Sequence, residues 1–344
     1  MEFSYTVLIN PNLERPELVV FLNSGNFNII EHKIAPIGPL RDWQMYWFLK
    51  KYKNKFDLVH VMSSNFPFSL RNGICTIHDM TYKKYFDNPK YTFNLSKKYI
   101  DWTMKNCIKY SKAIIAVSKS TKKEIIESFA VTKINEEKIN VIYEGWEHLK
   151  KDFKAVCKNI EQIPNSYMFY LGTSRKHKNL VGLLNAYKMA EPHLNSNIKL
   201  VIAGSQKYIN EQNIKLIESI NKDEKKVIFT GYLSDECVES YFKNADCLIF
   251  PSLSEGFGLP ILEAFYYNKT VLCSNTTSLP EVAGNAAFYF NPNDYKNIAD
   301  VIIKFYSIQE DDEKMSQLRA EQLEKFSWVT AAKETIELYK RTLT

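Results

Sequence analysis

The sequence predicts an α/β protein built from two doubly wound, parallel-sheet domains that face each other across a cleft. Three observations carry this expectation. From about residue 167 onward, short apolar runs alternate with amphipathic stretches, the signature of repeated β-α-β units. The residues that look chemically useful, at Gly172, Gly204, Gly231 and Glu255, all follow such runs, where an open parallel sheet presents its ligand site. At 344 residues the chain is also long for one core, and two domains of ordinary size are the natural division.

In order along the chain, Tyr5 to Asn10 reads as a first strand, followed by strands near 57–62, 74–77, 113–117 and 139–143. The stretch from Lys150 to Asn165 is polar and carries Pro164, which suits a boundary, so residues 1–150 form an N-terminal domain and 151–326 a C-terminal one. In the second domain strands are expected near 167–171, 198–203, 226–230, 246–250, 270–273 and 286–290, with helices between them. Ser327 is placed to cap a last helix within 327–344.

Residues 251–263 carry the most chemical information. The run Asp246 to Phe250 stops at Pro251 and suits a buried strand, so Glu255 sits just past a strand end. Pro260 is acceptable at the start of a helix, where its missing N–H would have had no partner, and Glu263 follows one turn into it. Gly256 and Gly258 let backbone approach a ligand, and a helix start favours phosphate. Two carboxylates beside an anion must face something else, and sugar or ribose hydroxyls fit because they donate what carboxylates accept. The expected ligand is a sugar carried on a nucleoside diphosphate. Taken singly, Glu263 also reads as a first-turn acid complementing the helix dipole, and the two glycines as an ordinary turn.

The stretch Glu255 to Glu263, with seven residues between its two acids, resembles the signature of the family 4 glycosyltransferases of the GT-B fold. The resemblance continues at Ile77-His78-Asp79, Ala116-Val117-Ser118, Leu171-Gly172 and His177-Lys178-Asn179-Leu180. It extends through Val227 to Tyr232, Tyr241 to Asp246 and Thr277 to Val282, covering the chain from about residue 57 to its end. It implies two Rossmann-like halves, a nucleotide-sugar domain at 151–326 and a final helix at 327–344 that crosses back to the N-terminal acceptor domain. The patterns at His177 to Leu180 and Gly145 to Leu149 lean towards transfer of mannose or a related hexose in surface polysaccharide assembly. One departure is expected to matter: Tyr5 to Asn10 resembles the family's second strand, and no strand with a glycine-rich loop precedes it.

The resemblance also implies roles. Glu255 would bind sugar hydroxyls, Glu263 the ribose, and the amides of Gly256, Phe257, Gly258 and Leu259 would complete the cradle. His78, with Asp79 beside it, would contact the donor sugar or polarise the acceptor. Lys178 is the leading candidate to hold the leaving phosphate. The family often places an arginine five positions before that lysine; Thr173 stands there instead, and Arg175 can take over because a guanidinium binds phosphate in two places, with Lys176 a weaker alternative. Gly231, Tyr232 and Leu233 are candidates for the nucleobase pocket. Relatives retain anomeric configuration, so same-face attack by an acceptor hydroxyl is expected. No Asp-x-Asp pair occurs, and no metal is expected; the donor is GDP-mannose or a UDP-sugar, the acceptor a glycan or lipid-linked sugar.

Composition bounds the alternatives. With 45% hydrophobic and 24% charged residues the chain reads as a globular enzyme, without an apolar run long enough to span a membrane or a signal pattern. Cytoplasmic residence is expected. The formal net charge of +6 is uneven: residues 1–150 hold 22 Lys plus Arg against 15 Asp plus Glu. Within them, Arg41 to Lys55 interleaves Trp43, Tyr46, Trp47 and Phe48 with Lys50, Lys51, Lys53 and Lys55, which suits peripheral contact with an anionic membrane face, or else a partly buried helix with a solvated basic end. No nucleic-acid motif is present. The six cysteines show no short paired spacing and are expected to be reduced. A non-catalytic GT-B-like binding subunit is the alternative function; a dinucleotide oxidoreductase is disfavoured, because no Gly-x-Gly-x-x-Gly follows a strand.

Overall fold

The computed structural model describes residues 3–10, 27–35, 38–52, 55–71, 73–85, 94–130, 135–150, 163–205, 209, 211–308 and 312–344. Twelve strands are present among them: β1 (Tyr5–Ile9), β2 (Phe27–Glu31), β3 (Val59–Val61), β4 (Gly73–Ile77), β5 (Ala113–Ala116), β6 (Ile139–Val141), β7 (Tyr167–Leu171), β8 (Lys199–Ala203), β9 (Val227–Gly231), β10 (Cys247–Phe250), β11 (Thr270–Ser274) and β12 (Ala287–Phe290). They form sheets of order β1-β2, β3-β4-β5-β6 and β12-β11-β10-β7-β8-β9. Each strand expected from residue 57 onward is present, to within a few residues at either end. Contacts divide the chain into two compact units, one of Met1–Thr76, Phe93–Ile115 and Ile336–Thr344, the other of Ile77–Thr92 and Ala116–Thr335.

In the first unit β1 pairs parallel with β2, Tyr5 opposite Phe27, and β3 pairs parallel with β4, Val59 opposite Gly73. The stretch between β1 and β2, residues 11–26, lies outside the described residues. The Pro39–Lys51 helix buries Arg41, Asp42, Met45 and Phe48. Its buried acid is held by Arg41 at 3.2 Å and by the Tyr99 hydroxyl, which donates at 2.7 Å. Burial pushes the Asp42 carboxyl up, and those two partners oppose the shift. The end of the Trp328–Leu343 helix belongs to this unit: the Tyr339 hydroxyl lies 2.6 Å from His60 Nδ1, and His60 Nε2 lies 2.8 Å from Thr76 Oγ1.

The expectation of uniformly reduced cysteines is corrected here. Cys75 on β4 and Cys107 on the Asn94–Tyr110 helix are joined by a disulfide, and Cys237 in the other unit is also disulfide-bonded. Cys75 and Cys107 lie 32 residues apart, so no local spacing advertises the pair. Cys247 and Cys273 stay buried thiols inside β10 and β11, as expected.

The second unit contains a parallel six-stranded sheet covered on both faces. Alternation along each strand feeds two cores: Tyr167, Phe169, Val201, Leu248 and Val271 point into one, and Met168, Tyr170, Leu200, Ile249 and Leu272 into the other. That double burial explains why these strands read as continuous apolar runs and not as an alternating pattern. The first core is closed by the Asp235–Asn244 and Leu259–Tyr266 helices, the second by the Leu180–Ala190 and Tyr295–Ser307 helices. Each fully buried side chain of this size contributes roughly 1.5–3 kcal/mol relative to exposure.

Strand order fixes where a ligand can sit. From β7 the chain moves outward through β8 to β9, then returns to the other flank of β7 and moves out again through β10, β11 and β12. The reversal lies between β7 and β10, which pair parallel with Cys247 opposite Met168. In an open parallel sheet that reversal leaves a crevice beyond the strand carboxyl ends.

Candidate functional site

The turns leaving β7 and β10 carry Lys178 and Glu255, and their side chains meet: Lys178 Nζ lies 2.6 Å from Glu255 Oε1. Both are largely shielded, at 20% and 14% exposure, and the ammonium also lies 5.4 Å from the centre of the Phe250 ring. The two turns are tied by backbone, since Leu253 N–H donates to the His177 carbonyl at 2.7 Å. The β7 turn ends at Asn179, whose left-handed φ of 54° starts the next helix; its amide donates to the Pro292 carbonyl at 2.8 Å. Asparagine is one of the few side chains that adopts this conformation readily.

The Glu255 turn is held from three other elements. Its own N–H donates to Thr277 Oγ1 at 3.1 Å, and the Ser278 hydroxyl lies 3.0 Å from the Glu255 carbonyl and 2.7 Å from that of Phe257. The hydroxyls of Ser118 and Thr121, at the start of the Lys119–Ser128 helix, lie 2.6 and 3.0 Å from the Gly256 carbonyl. That helix start is itself capped by Glu281, which accepts from the N–H groups of Lys119 and Ser120 and from the Tyr143 hydroxyl. Gly256 is obligatory: a Cβ there would stand 1.5 Å from the His78 carbonyl oxygen. His78 is thereby placed against the same turn, and its ring Nδ1 lies 3.0 Å from Glu144. His177 is buried enough that its pKa falls, with the Lys178 charge adding to the effect and Glu255 and Asp79 opposing it.

Glu263 occupies a different setting. It lines a small cavity with His148, Asp235, Val238, Phe242 and Tyr267. Burial, with the neighbouring Asp235 charge, pushes its carboxyl up to about 7; His148 Nε2 is 4.0 Å away. An acid in this state titrates near neutrality, while its hydrogen-bonding capacity remains.

Other sequence-expected residues fall as follows. Thr173 stays in the β7 turn with its buried Oγ1 lacking a hydrogen-bond partner among the described residues, as do Ser252 Oγ and Thr276 Oγ1. Arg175 and Lys176 are exposed on that turn. Asp79 lies beside His78 and accepts from the Thr81 N–H at 2.8 Å. Gly231 ends β9 with φ of 73°, Tyr232 is 89% exposed, and Leu233 packs against the core. Phe257 is 4% exposed and packs on Tyr143 and Phe326, so only its backbone is available to a ligand. Gly258, at φ of 118°, opens the Leu259–Tyr266 helix. The sequence reading gave no site role to Ser118, Thr121, Glu144, His148, Asp235 or Thr277, although Ser118, His148 and Thr277 lie in motifs that it singled out and Ser118 precedes a helix as a cap residue.

This arrangement can hold an anion with Lys178 while a carboxylate beside it accepts hydrogen bonds from hydroxyls. Residues 154–322 match the model "Glycosyl transferases group 1", and residues 7–148 match "Glycosyltransferase Family 4". The O-antigen chain mannosyltransferase B of Escherichia coli is 29% identical over 86% of this chain and 76% of its own length. The serotype-specific mannosyltransferase WbdA of Escherichia coli is 29% identical over 83% of this chain, which spans 35% of that longer relative. Among solved structures, Anabaena HepE in complex with UDP and glucose superposes with a TM-score of 0.67 at 16% identity, covering 94% of this chain and 88% of that one; it is a likeness of fold. The chain belongs to the family 4 glycosyltransferases of the GT-B fold.

Proposed function

We propose that the protein is a retaining hexosyltransferase that moves mannose or a related hexose from a nucleotide-sugar to a glycan or lipid-linked acceptor in surface polysaccharide assembly. The observation that carries this reading is the Lys178–Glu255 pair at the strand-order reversal, where one group suits phosphate and the other suits hydroxyls. The choice of mannose rests on the two relatives named above, both mannosyltransferases. GDP-mannose is the first donor to test, with UDP-sugars next.

In the proposed reaction the acceptor hydroxyl oxygen attacks the anomeric carbon on the face from which the diphosphate departs. The bond from that carbon to the phosphate oxygen breaks, its electron pair leaves with the diphosphate, and the acceptor proton passes to a departing phosphate oxygen. Lys178, assisted by Arg175, stabilises the charge that grows on the leaving group; Glu255 fixes the sugar, Glu263 the ribose. Fixed cationic side chains supply this stabilisation, so the activity is proposed to be independent of divalent metal.

The test is transfer or donor hydrolysis by the purified chain across a panel of nucleotide sugars, with and without EDTA. Turnover that resists EDTA and disappears in Lys178→Ala and Glu255→Ala is the expected result. Donor binding without turnover under any condition would instead favour a non-catalytic binding subunit.

The peripheral membrane contact belongs to the same reading. Among the described residues no helix is long and apolar enough to cross a membrane. The Pro39–Lys51 helix buries Arg41 and Asp42 but exposes Trp43 at 60% and Trp47 at 48%, with Lys50 Nζ 4.8 Å from the Trp47 ring. Lys53 lies outside the described residues. Exposed indoles beside lysines support docking on an anionic bilayer at the inner membrane face. Co-sedimentation with anionic vesicles, weakened in Trp43→Ser/Trp47→Ser and by salt, is the expected outcome; equal sedimentation of the variant would overturn it.

A further inference from the structure

Arg41 has more donors than partners. It sits in the first turn of the Pro39–Lys51 helix at 9% exposure, and among the described residues its side chain makes a single hydrogen bond, to Asp42 Oδ1 at 3.2 Å. A guanidinium presents a rigid fork of N–H donors, so most of that fork is left without an acceptor. Asp42 has little more to offer, because its other oxygen accepts from the Tyr99 hydroxyl at 2.7 Å. The electrostatics agree: burial lowers the Arg41 pKa, and the opposing pull of Asp42 does not make up the difference. A buried charge is offset only when its hydrogen bonds are complete, and here they are not.

The start of the same helix adds further donors. Gly38 has no side chain with which to cap it, Pro39 has no N–H, and the N–H groups of Leu40 and Arg41 lack a hydrogen-bond partner among the described residues. The Tyr99 hydroxyl also interacts with the Gly38 backbone, which keeps Asp42, and through it Arg41, at this end of the helix. We propose that Arg41 and the open helix start form a binding site for a terminal phosphate group, one whose oxygens are free to accept. The guanidinium fork grips two oxygens of one phosphate, and the helix start favours its charge. Leu40, at 59% exposure, and Trp43 stand on either side of Arg41 in the sequence and turn apolar surface outward, which favours a phosphate carried on a lipid headgroup; inorganic phosphate is the other source of the same chemistry. The site is built from the first unit alone, goes beyond the proposed transfer reaction and does not rest on it.

Arg41→Ala strands Asp42 as an unpaired buried acid and risks unfolding, so two gentler variants carry the test. Arg41→Lys keeps a cation beside Asp42 but has no fork, and Arg41→Met with Asp42→Asn replaces the ion pair by neutral groups while leaving Tyr99 an acceptor. The full chain is sedimented with phosphatidylcholine vesicles carrying either phosphatidic acid, whose phosphate is terminal, or phosphatidylserine at matched surface charge, and inorganic phosphate is titrated by calorimetry. Wild type should prefer the phosphatidic acid vesicles by about tenfold, and both variants should lose that preference while keeping wild-type binding to phosphatidylserine vesicles and a wild-type unfolding temperature. Affinity for inorganic phosphate that depends on Arg41, without a lipid preference, would sustain the site and assign it to the free anion. The proposal is overturned if wild type shows neither the preference nor the phosphate affinity, or if either variant, folded, retains both as in wild type. A chain inactive towards every sugar donor would instead overturn the proposed function, and equal sedimentation of Trp43→Ser/Trp47→Ser the membrane contact, which keeps the failures apart.

Discussion

Glu255 and Glu263 belong to one motif, yet they sit in opposite electrostatic settings. Glu255 lies beyond the end of β10, in contact with the Lys178 ammonium at 2.6 Å and bracketed by hydroxyls from Thr277 and Ser278. Glu263 lies one helical turn into the next helix, in a cavity lined by Phe242 and Tyr267, where burial and the Asp235 charge raise its carboxyl to about 7. The first makes a short side-chain contact with a cation. The second is arranged to hydrogen-bond to neutral hydroxyls while carrying charge only above neutrality. A spacing of seven residues therefore separates two electrostatic settings more than it repeats one.

Removing the cation attacks the first setting hardest. Lys178→Ala should lower kcat by about 10²–10³-fold, as loss of one preorganised charge-stabilising group does. A kinetic assay that finds only a change in KM would place Lys178 in ground-state binding alone. Next in size is Gly256→Ala, which forces a Cβ to within 1.5 Å of the His78 carbonyl; this is a backbone clash that no side-chain motion relieves. A loss of about 3 kcal/mol or more in urea unfolding is expected, and a loss below about 0.5 kcal/mol would contradict the packing described.

The second setting responds to pH. Because the Glu263 pKa is raised from 4.5 to about 7, the folded state holds its proton more tightly than the unfolded chain. The stabilisation is complete below the lower value and is lost as pH rises through the window to about 7, at up to about 1.4 kcal/mol per unit. Relative to Glu263→Gln, wild type should therefore lose stability across that interval, read as a falling difference in unfolding free energy. A difference that stays flat would remove the buried-acid account. Smallest of all, Tyr232→Ala should leave stability within about 0.5 kcal/mol, since the ring is 89% exposed, while weakening donor binding by roughly 1 kcal/mol if the ring stacks on the base.

The strands from β3 onward were legible because each is a short apolar run whose ends are marked locally, whereas β2, Phe27–Glu31, was not expected. The functional turns were legible for the same reason: Gly172, Gly231 and Glu255 follow strand ends, and strand ends are local. Partner choice across the chain was not. Ser118 reaches Gly256 over 138 residues and Glu144 reaches His78 over 66, distances at which spacing says nothing. Cys75 and Cys107 illustrate the same limit. At Phe257 the motif assigned a role only to the backbone amide, and the ring packs on Tyr143 and Phe326 in the core.

The division of labour between the two acids is tested most directly by calorimetric titration at pH 8 with GDP, UDP and the matching nucleotide sugars. Glu255→Gln should bind the preferred nucleoside diphosphate as wild type does while losing the added affinity for the attached sugar. Glu263→Gln should bind both forms about tenfold more weakly, the loss of one charge-assisted hydrogen bond. Wild-type affinity for the diphosphate in Glu263→Gln, or its loss in Glu255→Gln, would contradict the assignment.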